Sequence, residues 1–110
     1  MTDTDIDITP SSGNVFADLG HVEAADKKAK IQLAMAINTE IAARKIGQTE
    51  AARLLGTEQP KISALANYKL AGFSLARLME FLTALDRDVE IVIRPRQGHG
   101  HITIRQTEAA

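Results

Sequence analysis

The sequence predicts a mainly α-helical protein, with four or five helices followed by a short C-terminal β segment. Through much of the chain, apolar residues recur every three or four positions, which is typical of amphipathic helices. Aromatic residues make up only 4% of the 110 residues, so the core must rest largely on aliphatic residues, and the abundant alanine and leucine favour helices. After Asp86 the apolar period changes to two, which is typical of a strand.

The chain divides into three predicted parts. Residues 1–22 are rich in Asp, Thr, Ser and Gly, so we expect a mostly disordered acidic tail, in which residues 15–19 form a candidate docking segment. Residues 23–86 carry the helical patterns and form the predicted domain. Residues 87–110 contain the β segment and a second tail.

The first helix of this domain is expected to begin near Ala24 and to end at Gly47. Leu33, Ile37 and Ile41 follow one another at intervals of four and form one apolar stripe. Glycine accepts the left-handed backbone conformation that often ends a helix. We therefore expect one long helix here.

Two short helices and a third, longer one should follow. The first runs from Thr49 to Leu55 and ends at Gly56; the second covers about residues 58–66, with Thr57 as its N-terminal cap and Pro60 in its first turn, where a missing N–H costs little. Ser74 is expected to cap the last helix. Its apolar positions have the spacing i, i+3, i+4, i+7: Leu75, Leu78, Met79 and Leu82.

The β segment offers a way for two copies of the chain to associate. Val89, Ile91 and Ile93 alternate with other residues until Pro95 stops the run. An unpaired apolar strand invites pairing with its own copy, so these three residues are predicted to build a homodimer. A local hairpin with residues 102–105 is an alternative that is compatible with dimerisation.

Composition and charge exclude several classes of protein. The chain has no cysteine, which excludes disulfides and thiolate metal sites, and its N-terminal residues lack the basic and apolar parts of a secretory signal. No apolar run is long enough to span a membrane, so we expect a cytoplasmic protein. The net charge is −1, but residues 27–69 hold eight Lys and Arg against three acidic residues, which marks a basic middle section behind an acidic tail.

The stretch from residue 48 to residue 67 meets the geometric demands of a helix-turn-helix motif. Ala52 is small enough for one helix to cross another, and Gly56, four residues later, suits a tight turn between helices. In the second helix, Ile62 and Leu65 are three residues apart and can anchor it to the core. Each feature is common alone, but together at these spacings they indicate the motif strongly.

The opposite face of that second helix has the chemistry of a surface that enters DNA. It is small, polar and free of carboxylates, and it consists of Pro60, Ser63, Ala64 and Asn67, flanked by Gln59 and Lys61. A helix in the major groove must avoid acidic residues there, and a glutamine near its start can read adenine through its amide. Gln48, at the start of the preceding helix, can hold a phosphate.

These residues resemble a known family. The pattern Gln48, Ala52, Gly56, Gln59, Ile62 and Ser63 resembles the Xre/Cro/C1 type of helix-turn-helix regulator, whose domain is lambda-repressor-like. The longer strings at 47–56, 59–63, 73–79 and 88–91 are similar to the HigA-like branch of small antitoxin-type regulators. The resemblance covers roughly residues 24–95 and leaves both tails unexplained.

The resemblance implies a function and a set of contacts. Members of this family bind operator DNA as dimers, and many neutralise a RelE/ParE-like toxin while repressing their own operon. The candidate DNA-binding residues of this chain are Gln48, Thr57, Gln59, Pro60, Lys61, Ser63, Asn67 and Lys69. One departure is that Asn67-Tyr68-Lys69 stands where such proteins often have a glycine, so we expect Asn67 to take the left-handed conformation.

Other interpretations remain open at this stage. The resemblance is also compatible with a free-standing or phage-type repressor that has no toxin partner, and a helix-turn-helix can also serve protein binding alone. His99 and His101 lack a third ligand nearby, so we expect exposed turn residues and no metal site. Because no catalytic spacing or phosphate-binding loop is present, we expect no enzymatic activity and no cofactor.

Overall fold

Four α-helices form the described part of the protein. The computed structural model describes residues 15–98 and 100–107, and the helices are α1 (Val15–Arg44), α2 (Gln48–Leu55), α3 (Gln59–Ala66) and α4 (Leu75–Ala84). The mainly α-helical fold with four helices is therefore confirmed. No helix in these ranges is both long enough and apolar enough to cross a lipid bilayer.

The chain divides into two compact units. One consists of residues 30–90 and contains the end of α1 together with α2, α3 and α4; the other brings the beginning of α1, up to Ala29, together with the chain after Glu90. The core of the first unit is entirely apolar and is dominated by Ile37, Leu65, Leu78, Phe81 and Leu85, which are almost fully buried.

Helix α1 differs at both ends from the sequence prediction. It begins at Val15, so residues 15–22, which we expected to belong to a disordered tail, are helical. This segment contains no proline that would break a helix. Residues 1–14 lie outside the described part of the chain.

The C-terminal end of α1 is set by a lysine. Lys45 has a φ of +56°, and its N–H donates to the carbonyl of Ala42, so the helix ends at Arg44 and the left-handed residue stands two positions before the predicted Gly47. Gly47 instead stands directly before α2, with extended backbone angles. After this turn Ile46 is half-buried, and it lines the same cleft as Ile62 of α3.

Two further predicted caps lie one residue away from the observed ones. Thr57 does not cap α3, because Glu58 is the residue with extended angles directly before the helix. Asn67 has a φ of −99°, whereas Tyr68 takes the left-handed conformation with a φ of +57°. Ser74 caps α4 as predicted: its Oγ accepts a hydrogen bond of 3.0 Å from the N–H of Arg77.

The predicted β segment forms no strand in the single chain. Residues 87–96 have no regular secondary structure, residues 102–105 likewise, and His101 takes part only in an isolated bridge. Ile91 and Ile93 are 73% and 86% exposed, respectively. A short strand needs a partner to satisfy its backbone groups, and a lone two-stranded hairpin is marginal in water, so the alternation of side chains alone does not produce a strand.

Candidate nucleic-acid interface

The turn between α2 and α3 has the geometry of a helix-turn-helix. Gly56 has a φ of +69°, and its N–H donates to the carbonyl of Arg53; the next N–H, of Thr57, donates to the carbonyl of Ala52 at 2.9 Å. A Cβ on Gly56 would meet no other atom within 4 Å. Glycine is therefore needed here for its backbone conformation and not for space.

Two small residues of α2 are buried. Ala51 is fully buried and Ala52 is 5% exposed, so both side chains lie in the core, and Leu55 is buried one turn later. Ile62 and Leu65 are the buried residues of α3. The small residue predicted at position 52 is thus buried, and Ala51, which the sequence analysis did not single out, is even less accessible to solvent.

Two glutamines join the beginnings of α2 and α3. Gln48 is the first residue of α2 and Gln59 the first residue of α3, and both are exposed. The Nε2 of Gln59 donates a hydrogen bond to the Oε1 of Gln48. This bond orients both amides on one surface, and it leaves Gln59 with its Oε1 acceptor and a second N–H for another partner.

The remaining candidate contacts lie along or beside α3. Gln59, Pro60, Lys61, Asn67 and Lys69 are exposed, whereas Thr57 and Ser63 are half-buried. Asn67 folds back on the helix, because its Nδ2 donates to the carbonyl of Ser63 at 2.9 Å. No carboxylate occurs between Gln59 and Lys69, so this surface has the sign of charge that tolerates a phosphate backbone.

Lys61 has partners within the protein. Its Nζ donates to the carbonyl of Gly72 at 3.2 Å and lies 4.8 Å from the centre of the Phe73 ring. The side chain therefore holds the loop before α4 as well as carrying charge on the surface of α3. Residue spacing carries no signal for this contact, since the two partners lie more than ten residues further along the chain.

Two residues missed by the sequence analysis attach α3 and its turn to the other helices. Asn38 of α1 donates from its Nδ2 to the carbonyl of Leu65 at 3.1 Å. Arg77 of α4 donates to the carbonyl of Gly56 at 3.1 Å. A polar residue on an otherwise apolar helical stripe is the signal that marks Asn38; for Arg77 the spacing to Glu80 and Phe81 suggests helix-surface contacts only.

A cleft of about 330 Å³ opens between the end of α1 and one side of α3. Its lining is mostly apolar and consists of Asn38, Ile41, Ala42, Ile46, Gln48, Ile62, Ala66 and Tyr68. Gln48 is the residue shared between this cleft and the amide pair. Within residues 15–98 and 100–107, no group of three or more His, Asp or Glu could hold a metal ion, and His99 lies outside those ranges.

The three predicted dimerisation residues are accessible. Val89 is half-buried, and Ile91 and Ile93 belong to the most exposed large apolar side chains in the described chain. Val92, which alternates with them, is 65% exposed. Among the described residues, this segment therefore presents exposed apolar side chains at consecutive positions 91, 92 and 93.

Comparisons with known proteins agree with this geometry. A family model described as a helix-turn-helix domain matches residues 15–94, which include all four helices. A solved structure titled as an XRE-family transcriptional regulator is similar with a TM-score of 0.74 and 45% sequence identity, over 77% of this chain and 99% of the other. No curated protein matches the chain.

Proposed function

Since this chain belongs to the Xre family of helix-turn-helix, DNA-binding transcriptional regulators, we propose that it is a repressor that reads an operator with α3. In this proposal α3 lies in the major groove and Gln59 reads an adenine through a bidentate amide contact. Gln48 holds the adjacent phosphate at the N-terminus of α2, where free backbone N–H groups favour an anion.

The observation that carries this proposal is the hydrogen bond from Gln59 to Gln48. A free glutamine side chain must lose the freedom of three torsions when it binds a base, and that loss weakens binding. The bond orients the Gln59 amide before DNA arrives. It also couples the base contact to the phosphate contact, so that the phosphate fixes the register in which the base is read.

The other candidate residues supply the rest of the interface. Pro60, Ser63 and Asn67 provide short side chains that allow close approach to base edges, while Thr57 and Lys69 lie beside α3, where backbone phosphates pass. In this proposal Lys61 also binds a phosphate. The phosphate then competes for the Lys61 ammonium group with Gly72 and Phe73 in the loop before α4. The absence of carboxylates over residues 59–69 supports the assignment.

The repressor is proposed to act as a homodimer. A single helix-turn-helix contacts too few bases to be specific, and such proteins bind two half-sites about 34 Å apart, or at a multiple of that distance. Val89 is half-buried, Ile91 and Ile93 are exposed, and the three alternate along the chain, which supports antiparallel pairing of two copies about a twofold axis. Pairing would provide the partner strand that the single chain lacks.

The finer assignment is to an autoregulating antitoxin of the HigA-like branch, with a RelE/ParE-like toxin as partner. The strings at residues 47–56, 59–63, 73–79 and 88–91 support it. The alternatives are a repressor without a toxin and a helix-turn-helix that only binds protein. A small basic protein encoded in the neighbouring reading frame, whose toxicity this chain suppresses on co-expression, would separate the antitoxin from the first alternative.

Selection of DNA from a random duplex library tests the central claim. The unmodified protein should enrich one sequence, and Gln59→Ala should weaken its binding by about 1–3 kcal/mol and relax preference at one base pair. Gln32→Ala, an exposed glutamine on α1, is the control and should leave binding unchanged. If no sequence is enriched, or if Gln59→Ala keeps the full preference, α3 does not read DNA as proposed.

A further inference from the structure

We propose that Arg77 is a positioning residue for DNA reading: it fixes the turn before α3 and thereby sets where Gln59 lies, without touching DNA itself. This inference rests on the proposed role of Gln59. It assigns to α4 a part in sequence preference, although none of the candidate DNA contacts lies on that helix.

The guanidinium of Arg77 is held on three sides. Its Nη2 donates to the carbonyl of Gly56 at 3.1 Å, and its Nη1 donates to the Oε1 of Glu80 at 3.1 Å. The same group lies over the Phe81 ring, 4.7 Å from the ring centre. Because the guanidinium is planar and its donors point in fixed directions, these three partners together specify one position for it.

The bond to Gly56 acts where the chain changes direction. The peptide groups of this turn are already bound on their N–H side, since Gly56 donates to Arg53 and Thr57 donates to Ala52. Arg77 adds a donor on the carbonyl side of the same turn. The peptide that leads into α3 is thus held from α2 and from α4, three residues before Gln59.

Lys61 is a second cation that holds α3, and it does so from a different point than Arg77. Phe81, under Arg77, packs edge-to-face against Phe73 at 6.1 Å and 75°, and Phe73 in turn lies under Lys61. Lys61 is inside α3, whereas the contact of Arg77 precedes the helix. Loss of Arg77 therefore removes the attachment of the turn to α4 and leaves only its bonds to α2, while α3 stays attached through Lys61.

The consequence is that loss of Arg77 should lower sequence preference more than affinity for DNA in general. The phosphate contacts do not involve Arg77, so non-specific binding is preserved. The base contact of Gln59 requires the amide to meet two base atoms at once, and hydrogen bonds weaken steeply as their angles depart from linearity. A turn that is free to shift degrades that contact first.

The test measures the binding of full-length variants to two labelled duplexes, one enriched from a random library by the unmodified protein and one unrelated, over a range of salt concentrations. Arg77→Met keeps a stem over Phe81 and loses both hydrogen bonds. It should reduce the preference for the enriched duplex about tenfold, within the range set by one base contact. Its affinity for the unrelated duplex and its salt dependence should stay unchanged.

Two further variants define the cause. Glu80→Gln removes the ion pair but leaves the bond from Arg77 to Gly56, so it should keep the full preference. Arg77→Lys retains the charge without the forked donors of the guanidinium, so its preference for the enriched duplex should be intermediate. If Arg77→Met fails to fold, Arg77→Lys replaces it in the comparison of the two duplexes. In the double variant with Gln59→Ala, the two losses should not add, because Arg77 acts through Gln59.

Three results would overturn the proposal. Equal loss on both duplexes with a salt slope lowered by about one would make Arg77 a phosphate contact. An unchanged preference with a lower melting temperature would make its role purely structural, and additive losses in the double variant would separate it from Gln59. Failure of the proposed function is distinguishable, because it would appear with the unmodified protein as no enriched duplex, or as an unchanged preference in Gln59→Ala.

Discussion

Asn38 on α1 donates a hydrogen bond to the carbonyl of Leu65, 27 residues further along the chain and one residue before the end of α3. The same carbonyl also accepts from the N–H of Tyr68 at 3.1 Å. The side chain of Asn38 therefore fixes the C-terminal end of α3 against α1, at the opposite end of α3 from the contact of Arg77.

Replacing Asn38 by alanine should destabilise the protein. Since Leu65 keeps its bond from Tyr68, we expect a modest loss of about 0.5–1.5 kcal/mol in the free energy of unfolding by denaturant. Thr39→Ala is a matched control, because the Thr39 hydroxyl bonds only within α1, to the carbonyl of Met35. Equal effects of the two substitutions would mean that the bond to Leu65 contributes nothing.

Gly56 should tolerate asparagine better than alanine. Its φ of +69° lies in the left-handed region, which costs an alanine about 1–2 kcal/mol, whereas asparagine visits this region more readily. A Cβ at this position would meet no other atom within 4 Å, so the cost of alanine comes from the backbone conformation and not from a clash. Thermal and denaturant unfolding should rank the native protein first, Gly56→Asn second and Gly56→Ala last; the reverse order of the variants would contradict this reason.

Leucine at position 51 or 52 should overpack the crossing of α2. We expect a loss of about 1–3 kcal/mol from Ala52→Leu, and at least as much from Ala51→Leu because Ala51 has no exposed surface. Ala43→Leu is the control, since Ala43 is exposed on α1. If both buried alanines accept leucine without a change in the unfolding midpoint, the helices cross elsewhere.

Lys61 provides a test of competition between protein and DNA. If it contacts a phosphate, Lys61→Met should weaken binding to all duplexes and lower the slope of log affinity against log salt by about one. Methionine keeps the aliphatic stem near Phe73, so the folded state should be largely retained. A reduced stability with an unchanged slope would mean that Lys61 serves only the contacts to Gly72 and Phe73.

Charge placed on one side of the 89–93 segment should abolish the proposed dimer. Ile91→Asp or Ile93→Asp would bury an unpaired carboxylate between two copies, so sedimentation should give a monomer and operator binding should weaken. Val92→Asp is the matched control, because alternation directs Val92 to the opposite side. Dimers that persist in Ile91→Asp and Ile93→Asp would mean that the helices hold the two copies together.

Helix-turn-helix geometry was predictable from sequence because its determinants are local. Gly56 must have a positive φ whatever surrounds it, and Ser74 caps α4 through a bond to a residue three positions away. Where adjacent residues can serve the same purpose, the prediction failed by one or two positions. Lys45 has the positive φ expected at Gly47, and Tyr68 has the one expected at Asn67, and residue preference alone does not choose between such neighbouring positions.

In the candidate interface, too, local features were predictable from the sequence and long-range contacts were not. The polar face of α3 follows from a helical period of 3.6 residues, so Gln59 and Lys61 could be placed on it in advance. The bonds from Gln59 to Gln48, from Lys61 to Gly72 and from Arg77 to Gly56 join residues 11 to 21 positions apart. Spacing along the sequence carries no information about such contacts, because they depend on how the helices pack.

The shortness of α3 limits how much information one copy of the protein can read. Eight residues rise about 12 Å, which spans about four stacked base pairs at most. A fully specified sequence of four base pairs occurs by chance about once every 256 base pairs. About 4,000 such chance sites would compete in a genome of about 10⁶ base pairs. Two such helices that together read eight base pairs would leave about fifteen chance sites in the same genome. Recognition of a single operon therefore requires a second recognition helix. The fixed distance between the two half-sites then also contributes to specificity.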